Sequence, residues 1–279
     1  MKTIKEIIQL STEYLTKAGI ESPRVDAEWL IADALKLKRM DLYLQFDRPL
    51  EETDLVLIRE RIKRRSQSEP VQYIIGDDEF YGLTFKVGPG VLVPRPETEL
   101  LVDKVLKLVG EQDSVLDLCT GSGCIAISIK KSRPSLNIYA SDLSSDALAF
   151  ARENTRDLEA SVDLREGDLF APFSGMGFNA ICTNPPYVAE NEVPIMGRDV
   201  LKHEPHMALF SGADGADILR RISREGQIYL EDGGFLISEM GPGQGALLES
   251  IFVSDGWVDV QIIKDYSERD RFILAYKNN

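Results

Sequence analysis

The chain is poor in the residues on which metal and disulfide chemistry depend. Of its 279 residues only three are cysteines, Cys119, Cys124 and Cys182, and only two are histidines, His203 and His206. The cysteines are odd in number and lack C-x-x-C spacing, which argues against a disulfide framework and a structural zinc, so no metal is expected. Long apolar runs are missing too: none approaches the roughly 20 residues that span a bilayer. The opening "MKTIKEIIQLSTEYL" is amphipathic and contains acids, unlike a signal or transit peptide. A cytoplasmic protein with no membrane partner is the expectation. Low-complexity tracts and internal repeats are absent.

Positive charge is also in short supply, with 32 Lys and Arg against 46 Asp and Glu and a net charge of -14. Residues 1–70 balance 13 against 13, so all the excess acidity falls in residues 71–279, with 19 against 33. A body of that charge repels phosphate backbones, and no nucleic-acid partner is expected. The one basic cluster, "RERIKRR" from Arg59 to Arg65, reads as the solvated face of an amphipathic helix.

What is present divides the chain into three. Residues 1–70 read as a small helical bundle. "IKEIIQLSTEYLTKAG" sets Ile4, Ile7, Ile8, Leu15 and Ala18 on one face and stops at Gly19. Ser22 and Pro23 open a second helix, and Thr53 caps a third with a Leu55, Ile58, Ile62 stripe. From Val71 the pattern becomes alternating, and residues 71–90 read as a β-hairpin linker turning near Gly76 and Asp77. Residues 91–279 then alternate strand and helix, from "SVLDLC" and "CIAISIKKS" to "GGFLISEM" and "GQGALLESIF". That is the signature of an α/β, Rossmann-like, mostly parallel sheet. The last strands, "WVDVQII" and "RFILAY", are joined too tightly for a crossover helix and should pair antiparallel at an edge.

Ligands of such sheets bind beyond the carboxyl ends of the strands. There, "DLCTGSGCIA" fits G-x-G-x-x-[GA] through Gly121, Gly123 and Ala126, and Asp142 closes the next strand 21 residues after Gly121, where a carboxylate can accept from ribose hydroxyls. Both S-adenosylmethionine and a nicotinamide dinucleotide carry adenosine, and this pair of features does not separate them. "EGDLF" places Asp168 and Phe170 after a third strand, where an acid and a ring could meet adenine, although either could be an ordinary loop residue and core packing explains Phe170 better. A fourth strand ends in "TNPPYV", which either stops the strand or serves chemistry. The chemical reading suits a planar NH2 group, whose lone pair is delocalised. The Asn184 side chain and the Pro185 carbonyl are two acceptors for two N–H donors, the prolines hold them still, and Tyr187 offers a flat face.

At these residues the sequence resembles the class I S-adenosylmethionine-dependent methyltransferases that act on planar NH2 groups, a set that includes adenine-methylating nucleic-acid enzymes. "EPVQYIIGDDEFYGLTFKVGPGVLVPRPETELLVD", "NPPYV", "HEPHMALFSGADG" and "SEMGPGQ" are more narrowly similar, in order and spacing, to the HemK/PrmC family. That resemblance implies methylation of the glutamine of the GGQ motif in class I peptide chain release factors, with S-adenosylmethionine as cofactor; a monomer is expected, although the sequence itself does not give the oligomeric state. A sister branch modifies a glutamine of a ribosomal protein, and "PRPETE" looks like the release-factor branch. The resemblance further implies that Cys119, Thr120, Gly121, Ser122, Gly123, Asp142, Asp168, Phe170 and Asn184 hold the cofactor. It assigns Asn184, Pro185, Pro186 and Tyr187 to the glutamine, with Asn184, Pro185 and Tyr187 as the catalytic set, and the helical segment to substrate docking. Cys119, His203 and His206 depart from the residues usual in the family.

Overall fold

The computed structural model describes residues 2–195 and 197–278. The chain separates into two compact units, one of residues 1–77 with 197–203 and the other of residues 78–196 with 204–279.

The first unit is helical. α1 (Ile4–Lys17) is opened by a capping box, Thr3 accepting from the Glu6 amide while Glu6 accepts from the Thr3 amide, and its Ile4, Ile7, Ile8 and Leu15 are buried as the period requires. α2 (Pro23–Ala34) begins at Pro23 as expected, followed by α3 (Arg39–Leu44) and α4 (Glu52–Ser66). Thr53 lies inside α4; the cap position is Glu51, which fits the carboxylate-rich first turn. The basic cluster is not one solvated face. Arg65 is buried with its guanidinium 2.7 Å from Asp26, Arg64 holds Glu69, and Arg61 pairs with Asp33.

The expected hairpin does not begin at Val71. Val71–Ile75 is a short helix, α5, whose Tyr73 and Ile74 are buried and which Gly76 closes at φ 98°. The hairpin follows as β1 (Asp77–Phe80) and β2 (Leu83–Lys86), turning at Tyr81 and Gly82, both at positive φ as a two-residue hairpin turn requires. Its turn is tied down by Glu99 and Asp103, which accept from the Tyr81 amide and hydroxyl at 2.7 Å.

The second unit then runs α6 (Glu99–Leu108), β3 (Ser114–Leu118), α7 (Cys124–Ser132), β4 (Asn137–Asp142), α8 (Ser145–Asp157), β5 (Asp163–Glu166) and β6 (Phe178–Thr183). After α9 (Arg198–His203), which belongs to the helical unit, come α10 (Asp217–Gly226), β7 (Leu230–Glu239), α11 (Gly245–Ser254), β8 (Val258–Lys264) and β9 (Asp270–Tyr276). The sheet order is β5-β4-β3-β6-β7-β9-β8. All pairings are parallel except those of β9, which runs against both β7 and β8 and so forms the expected antiparallel pair at that edge. Parallel strands covered on both faces need continuous apolar runs, and β3 and β6 are buried accordingly. One face packs Leu101, Val105 and Ile127 with the hairpin's Phe80 and Phe85; the other packs Leu219, Leu248 and Trp257 with Phe170, Phe173 and Phe178. Among the described residues no helix is long and apolar enough to cross a membrane.

Candidate active site

Leu118 at the end of β3 pairs with Ser141 of β4 on one side and Thr183 of β6 on the other. The residues that follow, Cys119, Asp142 and Asn184, therefore emerge at one edge of the sheet, where the strand order reverses. A cleft opens there, and all three line it.

The wall at β3 and β4 is made chiefly of backbone. Cys119 and Gly121 adopt left-handed conformations, φ 56° and 58°, which fold the chain back sharply after the strand. Asp142 spans the gap between loops: one oxygen accepts from the Gly121 amide at 2.8 Å and the other from the Ser144 amide at 2.9 Å. Burial raises its pKa, and the bonds from the Ser144 and Gly121 amides partly offset that. With the Leu143 amide also nearby, the carboxylate still keeps acceptor capacity for a further donor. Beneath the loop Asp117 is fully buried, accepting from the Thr120 hydroxyl at 2.6 Å and the Ala126 amide at 3.3 Å. Burial pushes this carboxyl up to about 7 despite those two donors, with the Asp142 charge adding to the rise. Asn154, not singled out in the sequence, clamps the loop to the hairpin by donating to the Ser122 and Lys86 carbonyls at 2.9 and 3.1 Å.

Thr120, Ser122, Asp168 and Pro186 also line the cleft. Four residues expected there do not. Gly123 caps α7 at φ 81°, and a Cβ on it would lie 3.0 Å from Ile127, so its role is close packing. Phe170 is fully buried and stacks on Tyr229 at 4.6 Å; its neighbour Leu169, at φ 49°, takes the place in the cleft. Pro185 is buried, and Tyr187 turns its hydroxyl inward to Glu239. Asp168 is half-exposed and held by Arg221 at 2.8 Å. His203 lies on α9 in the helical unit, and His206 packs on the Phe210 ring.

The wall at β6 is made of side chains drawn from distant segments. The Asn184 amide group donates to the Thr98 hydroxyl at 3.1 Å, Thr98 to Glu239 at 2.7 Å, and Tyr187 to the other Glu239 oxygen at 3.0 Å. The Tyr187 carbonyl accepts from Gln244 at 3.0 Å. Burial raises the pKa of both Tyr187 and Glu239, and the nearby Glu239 charge raises Tyr187 further, so the phenol keeps its proton. Among the described residues no cluster of three or more His, Cys, Asp or Glu side chains is placed to hold a metal ion.

Comparison with known proteins accounts for both units. Residues 6–76 match the PrmC N-terminal domain and residues 95–214 the methyltransferase small domain. A release factor glutamine methyltransferase from Geobacter sulfurreducens is 37% identical over 97% of this chain and 95% of its own. One from Leptospira interrogans is 41% identical over 98% and 97%. The chain belongs to the release factor glutamine methyltransferase family. Its fold is also that of a methyltransferase from Pyrococcus furiosus, with a TM-score of 0.56 at 17% identity, covering 72% of this chain and 91% of that one.

Proposed function

We propose that this protein transfers a methyl group from S-adenosylmethionine to the side-chain amide nitrogen of the glutamine in the GGQ motif of class I release factors, in the cytoplasm and as a monomer. The observation that carries the reading is the meeting of Asp142 and Asn184 in one cleft. The cleft suits the cofactor: Asp142 has acceptor capacity left for ribose hydroxyls, the glycine turns let backbone approach closely, and Val91, Leu169 and Ile218 give apolar surface for a purine. When bound, S-adenosylmethionine supplies an electrophilic methyl group on a positively charged sulfur.

The protein's part is orientation. The Asn184 side-chain oxygen, which lines the cleft, accepts an amide N–H of the substrate, which turns the nitrogen lone pair toward the methyl group and spreads the charge that develops there, while Pro185, buried behind it, fixes the backbone that carries Asn184. Held at Asp142 and the glycine turn, the cofactor would supply the methyl group to the amide nitrogen, its methyl–sulfur bond breaking as the C–N bond formed, and one N–H proton would leave to solvent as the amide regained planarity. Tyr187, its hydroxyl anchored on Glu239 outside the cleft lining, braces the segment that carries Asn184 and is not the base, because its proton is firmly held. The helical unit docks the protein substrate. In support, Leu10 and Tyr14 of α1 stand exposed beside the uncovered Arg59 and Lys63 of α4.

The test is transfer of labelled methyl groups to purified release factor, to its GGQ Gln→Ala variant, to the ribosomal-protein substrate of the sister branch, and to duplex DNA. Only intact release factor should be labelled, and added DNA should not compete at moderate salt. Label in DNA or in the Gln→Ala variant would overturn the reading.

A further inference from the structure

We infer that Thr98 and Glu239 are positioning residues that set which face of the Asn184 amide meets the substrate. The inference rests on the reading that Asn184 receives the glutamine amide. Thr98 and Glu239 are 2% and 1% exposed, so their hydrogen bonds must close among protein groups. With Glu239 ionised, as its two hydroxyl donors and the Arg271 charge favour against the effect of burial, its carboxylate only accepts, and a hydroxyl has a single proton. Glu239 accepts the Tyr187 proton on one oxygen and the Thr98 proton on the other. The Thr98 oxygen, its proton spent, can only accept, and it stands 3.1 Å from the Asn184 amide nitrogen. The polarity of the whole chain follows: NH2 of Asn184 toward Thr98, carbonyl oxygen of Asn184 toward the cleft. The opposite amide rotamer has nearly the same shape but would offer donors to a substrate that also offers donors.

The arrangement is expensive as pure structure. Glu239 is a buried carboxylate whose nearest opposite charge, Arg271, is 3.9 Å away and is itself bonded to Asp265 at 3.2 Å. Removing a charge from water without a close partner is strongly unfavourable. An apolar residue would serve the core better. What the carboxylate supplies is a fixed direction for two hydroxyl protons, one anchoring the Tyr187 ring and one orienting Asn184. Both ends of the chain lie in the segment "TNPPYV".

The full-length protein tests this through Thr98→Val, which removes the hydroxyl at nearly constant shape, Thr98→Ser, which keeps it, and Glu239→Gln. Single-turnover transfer to release factor at saturating cofactor is read beside cofactor affinity by calorimetry and KM for release factor. Thr98→Val should slow transfer on the order of tenfold, the scale of one or two hydrogen bonds, while both affinities stay within about threefold. Glu239→Gln, which offers a donor where two protons now point, should slow it by at least as much. Thr98→Ser should recover most of the rate lost in Thr98→Val, and Thr98→Val should add little to Asn184→Ala. A near-normal rate in both Thr98→Val and Glu239→Gln would overturn the inference. So would a Thr98→Ser protein as slow as Thr98→Val, or a Thr98→Val loss that multiplies in full with that of Asn184→Ala. If Asn184→Ala is itself harmless, the underlying reading falls as well, which separates the two failures.

Discussion

The two walls of the cleft are built by different means. On the β3 and β4 side, the wall we propose for the cofactor is made of backbone amides and turns, held by Asp142 at 2.8 and 2.9 Å and underlain by the buried Asp117. On the β6 side, the group we propose for the substrate is one side-chain amide, that of Asn184, which is bonded to Thr98, 86 residues before it, and Thr98 in turn to Glu239, 141 residues after Thr98. A wall of backbone is fixed once its turns form, and it tolerates a residue such as Cys119 at an unusual position. A wall of side chains is fixed only when distant segments pack together, so single substitutions there should change chemistry while leaving the first wall in place.

The largest effect expected on the backbone wall is on its foundation. Asp117 has a pKa of about 7 in the folded protein and an ordinary value of 3.8 when exposed. Between those values the folded state holds a proton that the unfolded state has released. Its contribution to stability is therefore greatest below about pH 4, declines as pH rises to about 7, and is level above that. Asp117→Asn cannot titrate. The difference in unfolding free energy, native minus variant, should fall by up to about 4 kcal/mol across that window in denaturant titrations. A difference that is flat with pH would mean that Asp117 is ionised throughout.

The side-chain wall should respond to a change of a single atom. Gly215 is at φ 74°, and a Cβ there would sit 2.1 Å from the Tyr187 carbonyl oxygen and 2.6 Å from the Gln244 amide. Gly215→Ala must displace the Tyr187 backbone, and misplacement on the order of 1 Å costs about a hundredfold in rate. Turnover should fall by about that factor with cofactor affinity nearly unchanged. Loss of cofactor binding to the same degree would show that the two walls are not independent.

The smallest effect separates two neighbours. Leu169→Ala trims the apolar surface of the cleft and should weaken cofactor binding by about 1 kcal/mol, about fivefold. Phe170→Leu should leave binding alone and lower stability by about 1–2 kcal/mol, because its ring lies in the core against Tyr229. Calorimetry and thermal melts on both variants check the assignment. The reverse pattern would return Phe170 to the cleft.

This contrast also decides what the sequence could reveal. The glycine turn, Asp142 and the parallel sheet are written in local spacing, and the structure places them as read. In "EGDLF" Asp168 and Leu169 line the cleft while Phe170 packs in the core, because the left-handed turn at Leu169 directs successive residues to opposite sides, a detail that spacing does not carry. "VQYII" reads as strand by composition, yet Gly76 at φ 98° closes it as a helix. Thr98 sits inside "PRPETE" and Glu239 inside "SEMGPGQ", stretches that were legible only as family resemblance. No spacing rule joins them to Asn184, since their meeting depends on how β6 and β7 pair in the folded sheet. The short helix α9 belongs to the helical unit for a similarly nonlocal reason: Asp199 lies 3.5 Å from Arg65.

The division of labour between the walls is tested most directly by Asp142→Ala and Asn184→Ala measured side by side, by calorimetry for S-adenosylmethionine and by single-turnover methyl transfer to release factor. Asp142→Ala should weaken cofactor binding by about 1.5–3 kcal/mol, the worth of hydrogen bonds to a charged group, and retain part of the rate once cofactor is saturating. Asn184→Ala should bind cofactor nearly as the native protein does and transfer methyl groups on the order of a hundredfold more slowly, or worse. Near-normal single-turnover transfer by Asn184→Ala would contradict the account and reduce "NPPY" to the end of a strand.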